Sequence, residues 1–215
     1  MALIDLIFSR AKDDSKRLTY PADYQPALEA ALDTYSRHRP RLVVEDVAAS
    51  GGADLDLPAG WEDEFSQMRA VEYPLGLVPP ALWSQGDWAL YLSPTGVHLR
   101  LKDVVPAAGE LVRVTYTASR SEAQVPRADL DAVANLAAAM LCEVLANLFA
   151  HSSDPTIAAD VVNYRSKSAE FAARAKRLRQ MYLDQVGLRD GDPAPAMGVA
   201  IAPSTGRVRL THGRR

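Results

Sequence analysis

Histidine, cysteine and paired acids are the side chains that most often carry proton transfer, metal binding or nucleophilic attack. The four histidines are scattered along the chain without the close spacing of a metal or catalytic pair: His38, His98, His151 and His212. Cys142 is the sole cysteine and lies in an apolar run, which is typical of a buried, inert thiol. The chain has neither a glycine-rich phosphate loop nor a nucleophile elbow. We therefore expect no enzymatic activity, no cofactor and no metal site.

Basic side chains in the C-terminal third offer a different chemistry, the binding of acidic surfaces. Six of them occur within 155–186: Arg165, Lys167, Arg174, Lys176, Arg177 and Arg179. A solvated helix face is the simpler interpretation of such a cluster, and contact with an acidic protein or with DNA phosphates is the functional one. The net charge of the whole chain is only −3, and acidic residues are interspersed with the basic ones. We therefore expect no specific recognition of bases.

The element that must position these basic residues is predicted to be one long helix over 155–186. Apolar or small residues recur there in a 4-3 rhythm: Ile157, Val161, Tyr164, Ser168, Phe171, Ala175, Leu178, Tyr182 and Val186. Asp154 suits the N-cap, Pro155 the first helical position and Gly187 the C-terminal cap. A helix of this length spans about 48 Å. We expect its apolar side to pack on the helical core of its own chain and its basic side to face neighbours.

Two further helices are predicted around it. Residues 23–38 place apolar side chains on one face, with Asp23 as the N-cap and Pro40 after the end. Residues 129–150 are apolar on almost every side, which indicates a helix buried among others. The longest unbroken apolar run there is only seven residues, 136–142, so we predict no membrane-spanning segment. Residues 2–10 are compatible with a short amphipathic helix.

The region 41–118 changes from a helical period to short β-rich runs separated by Gly, Pro and Asp. The runs are RLVVEDV, MRAVEYP, DWALYL, VHLRL and LVRVTYTA, and SPTG predicts a hairpin turn between the third and fourth. This region is acidic, with five basic and eleven acidic residues. We predict a small antiparallel sandwich or barrel. Its tryptophans, Trp61, Trp83 and Trp88, are expected to pack in the core rather than form a ligand platform.

The fold class predicted from these patterns is α+β. Residues 1–40 and 119–187 form a helical core, 41–118 form an inserted β domain, and 188–215 form a flexible C-terminal arm. The arm is rich in Pro and Gly and contains two short β-competent runs, MGVAIA and RVRL. Such a segment cannot bury a core by itself, so it is either disordered or orders on a partner by strand addition.

The order of these pieces resembles a known protein family over about residues 20–187. The stretches YQPALEAALDTYSRHRPRLVVEDV, VEYPLG, LRLKDVVPAAGELVRVTYTA and ANLAAAMLCEVLANLFAHSSDPTIAADVVNYRSKSAEFAARAKRLRQMYLDQVG are similar to head–tail connector proteins of long-tailed bacteriophages, also called adaptor or head-completion proteins. The most diagnostic stretch is DPTIAADVVNYRSKSAEFAARAKRLRQMY. The β insertion and the long tail depart from the shortest members of the family.

The resemblance implies a structural virion protein that is made in the host cytoplasm and resides at the head–tail interface. It implies a ring, commonly of twelve copies, between the portal protein and the next connector or tail-completion protein. Packaged DNA would pass through that ring with non-specific contact at most. By position, the tail is the candidate arm that reaches the portal or a neighbouring subunit. The predicted partner-binding residues are Arg165, Lys167, Arg174, Arg177, Arg179, Tyr182, Val199, Ile201, Arg207 and Arg209.

Two other functions remain open from the sequence. The β domain could bind a glycan or a peptide while the helices act as a stalk, which exposed aromatic residues on one sheet face would favour. An enzyme of unrecognised class would require histidines and carboxylates to meet in one polar pocket.

Overall fold

A computed structural model describes residues 2–151 and 164–188. These residues form an α+β fold, as the sequence predicts. The helices are α1 (Leu3–Ala11), α2 (Tyr24–His38), α3 (Leu130–His151) and α4 (Tyr164–Val186). The strands are β1 (Arg41–Ala48), β2 (Met68–Glu72), β3 (Leu82–Trp83), β4 (Trp88–Ser93), β5 (Gly96–Leu101) and β6 (Leu111–Ala118). Two short 3-10 turns, Glu122–Gln124 and Arg127–Asp129, lead from β6 into α3.

The four helices share one buried core, which we call the helical module. α3 is its centre, because α1, α2 and α4 all pack against it. Its apolar and alanine-rich sequence leaves most of its residues buried, as expected for a helix surrounded on several sides. Leu145 and Val133 are fully buried within this core. The predicted helices 23–38 and 129–150 are thus present within a residue of their expected bounds.

The strands between α2 and α3 build a second buried core, which we call the β module. Four strands pair in the order β1-β6-β2-β3, and each described pair is antiparallel. β4 and β5 form a separate hairpin with the two-residue connection Pro94–Thr95, as the SPTG motif predicts. Leu99 of the hairpin and Val114 of the sheet belong to the same cluster. The described strands therefore resemble a small incomplete sandwich, and the closed barrel that the sequence left open does not form.

Two details of the predicted helix ends can be compared with the structure. Asp23 precedes α2, but its carboxylate accepts hydrogen bonds from the amide and hydroxyl of Thr19 rather than capping the helix. The predicted cap is therefore wrong, because the preceding turn uses the same carboxylate. α4 is described from Tyr164 onward. The predicted helical residues 155–163, the cap Asp154 and the arm from 189 onward lie outside the described residues.

Candidate assembly surfaces

The apolar stripe of α4 packs on its own chain and thereby fixes which side of the helix faces outward. Phe171, Ala175, Leu178, Tyr182 and Val186 are all buried, at the spacing that the 4-3 rhythm predicts. Phe171 stacks on Phe149 of α3 with ring centroids 5.5 Å apart and planes nearly parallel. The stripe therefore completes the helical module, and only the opposite side of α4 remains available to partners.

Gly187 and Leu188 end α4 in the manner that the sequence predicts. Gly187 has a φ of +77°, a conformation that suits glycine because a Cβ would be strained there. The amide of Leu188 donates to the carbonyl of Leu183 at 2.9 Å, and the amide of Gly187 donates to Asp184 at 3.2 Å. These bonds define a Schellman cap, and Leu188 packs on the helical module beside it. Leu188, the last described residue, is therefore held against the helical module.

Three of the predicted basic contact residues are engaged within the chain. Arg174 donates to the carbonyl of Ala11 at 3.2 Å, pairs with Glu170 and lies over the ring of Phe171. Arg179 pairs with Glu143 of α3 at 2.7 Å. The ammonium group of Lys167 lies 5.5 Å from the ring centroid of Phe149. These residues tie α4 to α1 and α3, so replacing them would disturb the fold as well as a partner surface.

Lys176 and Arg177 are different, because both are exposed and neither has an ion pair or side-chain hydrogen bond among the described residues. Lys176 and Arg179 also line a shallow groove of about 540 Å³ between α3 and α4. The groove is also lined by Glu143, which pairs with Arg179, and by small apolar residues that include Ala146, Ala172 and Ala175. We call Lys176, Arg177 and this groove the basic surface.

Tyr182 was predicted to contact a partner, but the structure buries it. Its exposed fraction is 1%, and its hydroxyl is hydrogen-bonded with Nδ1 of His38 at 2.5 Å. Burial raises the pKa of the Tyr182 hydroxyl and lowers the pKa of His38. The 4-3 rhythm already placed Tyr182 on the apolar stripe, so its role here is to join α2 to α4. For Arg165 only the helical backbone is described, and Val199, Ile201, Arg207 and Arg209 lie outside the described residues.

A partly buried polar cluster joins the helical module to the start of the β module, with Tyr35 and Asp129 buried and Arg39 exposed. Asp129 accepts a hydrogen bond from the hydroxyl of Tyr35 at 2.5 Å and two from Arg39 at 3.0 and 3.1 Å. Arg39 also donates to the carbonyl of Val186 at 3.1 Å. Burial, together with the hydrogen bond to Asp129, raises the pKa of Tyr35. Arg39 precedes β1 by two residues, so this cluster sets the last turn of α4 beside the beginning of β1.

The β module covers one face of its four-stranded sheet and leaves the other open. The covered face carries Tyr116, whose ring lies 5.8 Å from that of Trp61 and whose hydroxyl donates to Glu45. On the outer face, Leu42 is 63% exposed and Val44 is 60% exposed. Leu111 and Leu82 add further exposed apolar area. We call this face, with Leu42 and Val44 at its edge, the outer sheet face.

A charged cluster lies within the outer sheet face. Arg113 of β6 donates two hydrogen bonds to Asp46 of β1, at 2.7 and 2.9 Å, and lies 3.7 Å from a carboxylate oxygen of Glu72 on β2. The hydrogen bond from Arg113 lowers the pKa of Asp46. Cross-strand pairs of this type help to fix the register of the sheet. The outer sheet face therefore has a fixed arrangement of apolar and charged groups.

The two edges of the sheet are built differently. β3 contains only Leu82–Trp83 and follows Pro79 and Pro80, so that edge is short and interrupted by proline. β1 contains eight residues, has no proline and pairs with β6 without a register shift. No backbone hydrogen bond joins β1 to any other described strand or loop. β1 is therefore an open edge strand.

The three tryptophans pack against the core of the β module, as predicted. Trp61, Trp83 and Trp88 are each partly buried. The indole of Trp83 donates to the carbonyl of Tyr73 at 2.5 Å. Packing of this type favours a structural role and weighs against a stacking platform for a glycan.

The described histidines and the cysteine lie apart. His38 contacts Tyr182, His98 of β5 lies 3.6 Å from Asp56, and His151 is exposed at the end of α3. Cys142 is buried in α3, and burial raises the pKa of its thiol to about 11. Within residues 2–151 and 164–188, no group of three or more metal-binding side chains is found.

The segment Arg127–His151 is long and apolar enough, by length and composition, to cross a membrane. However, 72% of its most apolar window is buried inside the structure. The core of the helical module thus accounts for this apolar surface.

Comparison with known proteins gives little further information. No protein-family model matches the chain, and no curated protein sequence matches it. One similar solved structure is a chain from the neck of a native GTA particle computed with C12 symmetry. The two chains are 16% identical, and the match covers 77% of this chain and 87% of the other. Its TM-score is 0.27, which does not establish a shared fold and supports no conclusion about function.

Sequence patterns missed the outer sheet face and the open edge of β1. In RLVVEDVA, apolar residues occupy both alternations of the strand, so the pattern does not tell the covered face from the outer one. Lys176 is one of the six basic residues of α4 but is not among the predicted contact residues. The observation that separates it from Arg174 and Arg179 is the set of tertiary ion pairs, which spacing along one helix does not reveal.

Proposed function

We propose that this protein is a structural component of a phage-like particle that forms a ring adaptor between the portal protein and the tail. In this proposal it has no catalytic activity, and its twelve or so copies surround the channel through which DNA passes. The proposal draws on the resemblance of its sequence to head–tail connector proteins and on the α+β architecture described above.

The observation that carries the proposal is that two surfaces, the outer sheet face and the basic surface, are not covered by the described part of the chain and are suited to protein contacts. The helical module buries its apolar stripe internally, whereas the outer sheet face exposes large apolar side chains such as Leu42 and Val44. Exposed apolar faces of this type are typical of protein interfaces. The basic surface at Lys176 and Arg177 adds a second, chemically distinct contact site on the same chain.

Each surface has a role in this proposal. The outer sheet face packs against the neighbouring copy in the ring, because a ring needs one repeated contact between two different patches. The basic surface binds acidic residues of the portal protein or of the next connector. Charge complementarity there would guide docking and set its orientation more than it would add affinity.

Ring formation is the first test. Purified protein, alone and mixed with the portal protein of the same phage or prophage, is imaged by electron microscopy and weighed by native mass spectrometry. We expect closed rings, with about twelve copies, at least in the presence of the portal. A chain that stays monomeric under both conditions would overturn the proposal.

Charge reversal tests the basic surface without disturbing the fold. The double variant Lys176→Glu/Arg177→Glu is compared with Arg37→Glu/Lys102→Glu, which reverses two other exposed cations. We expect the first pair to weaken portal binding at least tenfold and the second to change it less than twofold, with unchanged circular dichroism for both. Equal binding by the two variants would remove the basic surface from the mechanism.

A further inference from the structure

The β4–β5 hairpin carries an apolar face that extends beyond the core of the β module. Directly opposed residues of an antiparallel pair lie on the same face. Three such pairs form this one: Trp88 with Leu101, Leu90 with Leu99, and Leu92 with Val97. Near the base the face is covered, since Leu99 is only 2% exposed, but toward the turn Leu92 is 75% exposed. Leu90 and Val97 beside it are exposed as well, and we call these three residues the hairpin tip.

The other face of the hairpin is polar. The guanidinium of Arg100 lies 3.4 Å from the ring centroid of Tyr91 and donates to a carboxylate oxygen of Asp54 at 3.2 Å. Nε2 of His98 lies 3.0 Å from the hydroxyl oxygen of Thr95. The hairpin is therefore amphipathic up to its turn, and the three residues of the hairpin tip lie on the same side.

The hairpin tip and the outer sheet face lie on opposite sides of the four-stranded sheet. Leu99 and Leu101 share a buried cluster with Val114, so the hairpin packs on the covered face of the sheet. Leu42 and Val44 belong to the other alternation of β1 and point away from that cluster. One copy therefore cannot bring its hairpin tip against its own outer sheet face, whereas two copies can.

The charges of the two surfaces favour some contacts between copies over others. The charged cluster of the outer sheet face contains one guanidinium, of Arg113, and the carboxylates of Asp46 and Glu72. Two outer sheet faces placed together would oppose clusters of the same net charge, which disfavours that contact. Residues 88–97 contain no charged side chain, so the hairpin tip meets the outer sheet face without opposing like charges.

Symmetry also favours a contact between the two different surfaces. Two hairpin tips, or two outer sheet faces, would pair about a twofold axis into a closed dimer and leave the second surface of each copy exposed. A contact between hairpin tip and outer sheet face uses both surfaces of every copy and repeats from one copy to the next, as a ring requires. Three side chains form a small contact compared with about 800 Å² per partner in a stable complex. We therefore expect the contact to be weak between two isolated copies and to depend on closure of the ring.

We propose that the hairpin tip of one copy packs against the outer sheet face of the next copy, with Leu92 near Leu42 and Val44. Burial of apolar side chains supplies the attraction, and the charged cluster keeps its ion pairs beside the contact. The proposal rests on the ring assembly proposed above, and it names the surface of the neighbour that meets the outer sheet face.

Photo-crosslinking between full-length copies tests this contact. The photoreactive residue benzoylphenylalanine replaces Leu92, and in a control protein it replaces Tyr91, which is 40% exposed on the opposite face of the same strand. Isotopically heavy and light copies are mixed, with and without the portal protein, then irradiated, digested and analysed by mass spectrometry. We expect heavy–light crosslinks from position 92 to residues 41–48 or 111–118, and at least fivefold fewer from position 91.

The partner of position 92 decides the outcome. Crosslinks to residues 88–97 of another copy would mean that hairpins pair with each other, and they would overturn the proposal. Crosslinks that stay within one copy, that join position 92 to α3 or α4, or that are absent would overturn it as well.

The sign of a charge placed on the hairpin tip gives a second test. Benzoylphenylalanine at Val44 reports the contact, and Leu92→Asp or Leu92→Lys is introduced into that protein. Because the charged cluster has one more carboxylate than guanidinium, we expect Leu92→Asp to reduce the heavy–light crosslink at least tenfold and Leu92→Lys at most threefold. Leu77→Asp, at a 52% exposed position outside the hairpin, should leave the yield within twofold. With circular dichroism unchanged, equal losses from the two Leu92 variants, or no loss from either, would overturn the proposal.

Native mass spectrometry of the same samples separates this proposal from the proposed function. Rings without the crosslink would overturn the contact at the hairpin tip and leave the ring adaptor standing. The crosslink without rings would support the contact and overturn the ring adaptor.

Discussion

The helical module and the β module differ in how much of their apolar surface they cover. In the helical module, α4 buries its apolar stripe on α3, and three of its cations are used by α1, by α3 or by a neighbouring turn. In the β module, one face of the four-stranded sheet is covered, while Leu42, Val44, Leu82 and Leu111 remain exposed on the other. Most of the exposed large apolar side chains among the described residues lie between 41 and 118.

This difference shows where stability and assembly are located in the chain. A module that buries its own apolar surface draws its stability from contacts within the chain and offers few new contacts. A sheet with an open edge and an exposed apolar face keeps its contact surface for another chain. We therefore expect substitutions in the helical module to change folding, and substitutions on the outer sheet face to change association.

The largest effect is expected from Leu145→Ala in α3. Leu145 is fully buried, so removing its side chain leaves a cavity and should lower the free energy of unfolding by about 2–5 kcal/mol. Val144→Ala, at the neighbouring and 42% exposed position, should cost less than about 1 kcal/mol. Val44→Thr on the outer sheet face keeps a β-branched residue and should change the free energy of unfolding by about 0.5 kcal/mol or less. Urea unfolding followed by circular dichroism measures all three, and a similar loss for Leu145→Ala and Val44→Thr would refute the comparison.

A smaller effect is expected at the polar cluster that joins the two modules. Asp129→Asn removes the negative charge that Arg39 and Tyr35 contact and should cost about 1–3 kcal/mol. The matched control is Asp131→Asn, whose carboxylate is 57% exposed in its pair with Arg10 and should contribute less than about 1 kcal/mol. Thermal unfolding measures the loss of stability in both variants. Equal losses would mean that the cluster does not stabilise the junction more than an exposed ion pair does.

The smallest effect is expected from pH, and it should arise in the helical module. Burial lowers the pKa of His38, so below about pH 6.5 the unfolded chain binds a proton that the folded chain resists. Stability from the neutral imidazole is therefore present above that pH and is lost as the pH falls toward the folded-state pKa. We expect the free energy of unfolding to decrease between pH 7.5 and 5.5, and His38→Gln to reduce this decrease. His151→Gln, at an exposed position, serves as the control and should keep the slope of the original chain.

Periodicity was sufficient to predict most of the architecture. The 4-3 rhythm placed Phe171, Ala175 and Leu178 on the buried side of α4, and the turn residues placed the β4–β5 hairpin correctly. These features depend on contacts between residues close in sequence or on one repeating side of an element. Asp23 shows where local reasoning fails, because two neighbouring turns compete for one carboxylate and Thr19 obtains it.

The candidate surfaces could be predicted only in part for the same reason. Six basic residues on one helix were visible in the sequence, but their exposure depends on Ala11, Glu143 and Phe149, which come from other elements. Tyr182 likewise has a side chain of a type common at interfaces, but it lies at a position of the buried stripe. The buried position is observed, because α2 supplies His38 as its hydrogen-bond partner.

The sequence by itself determined the α+β class, the order of helices and strands, the buried side of α4 and the end of that helix at Gly187. Each of these follows from hydrophobic period or from the backbone preferences of single residues. Only the tertiary structure decided which of the cations of α4 are unpaired, which face of the sheet is open and that β1 is an open edge. Those properties depend on pairs of residues far apart in the chain, such as Arg39 with Val186 and β1 with β6, and no local pattern encodes such pairs.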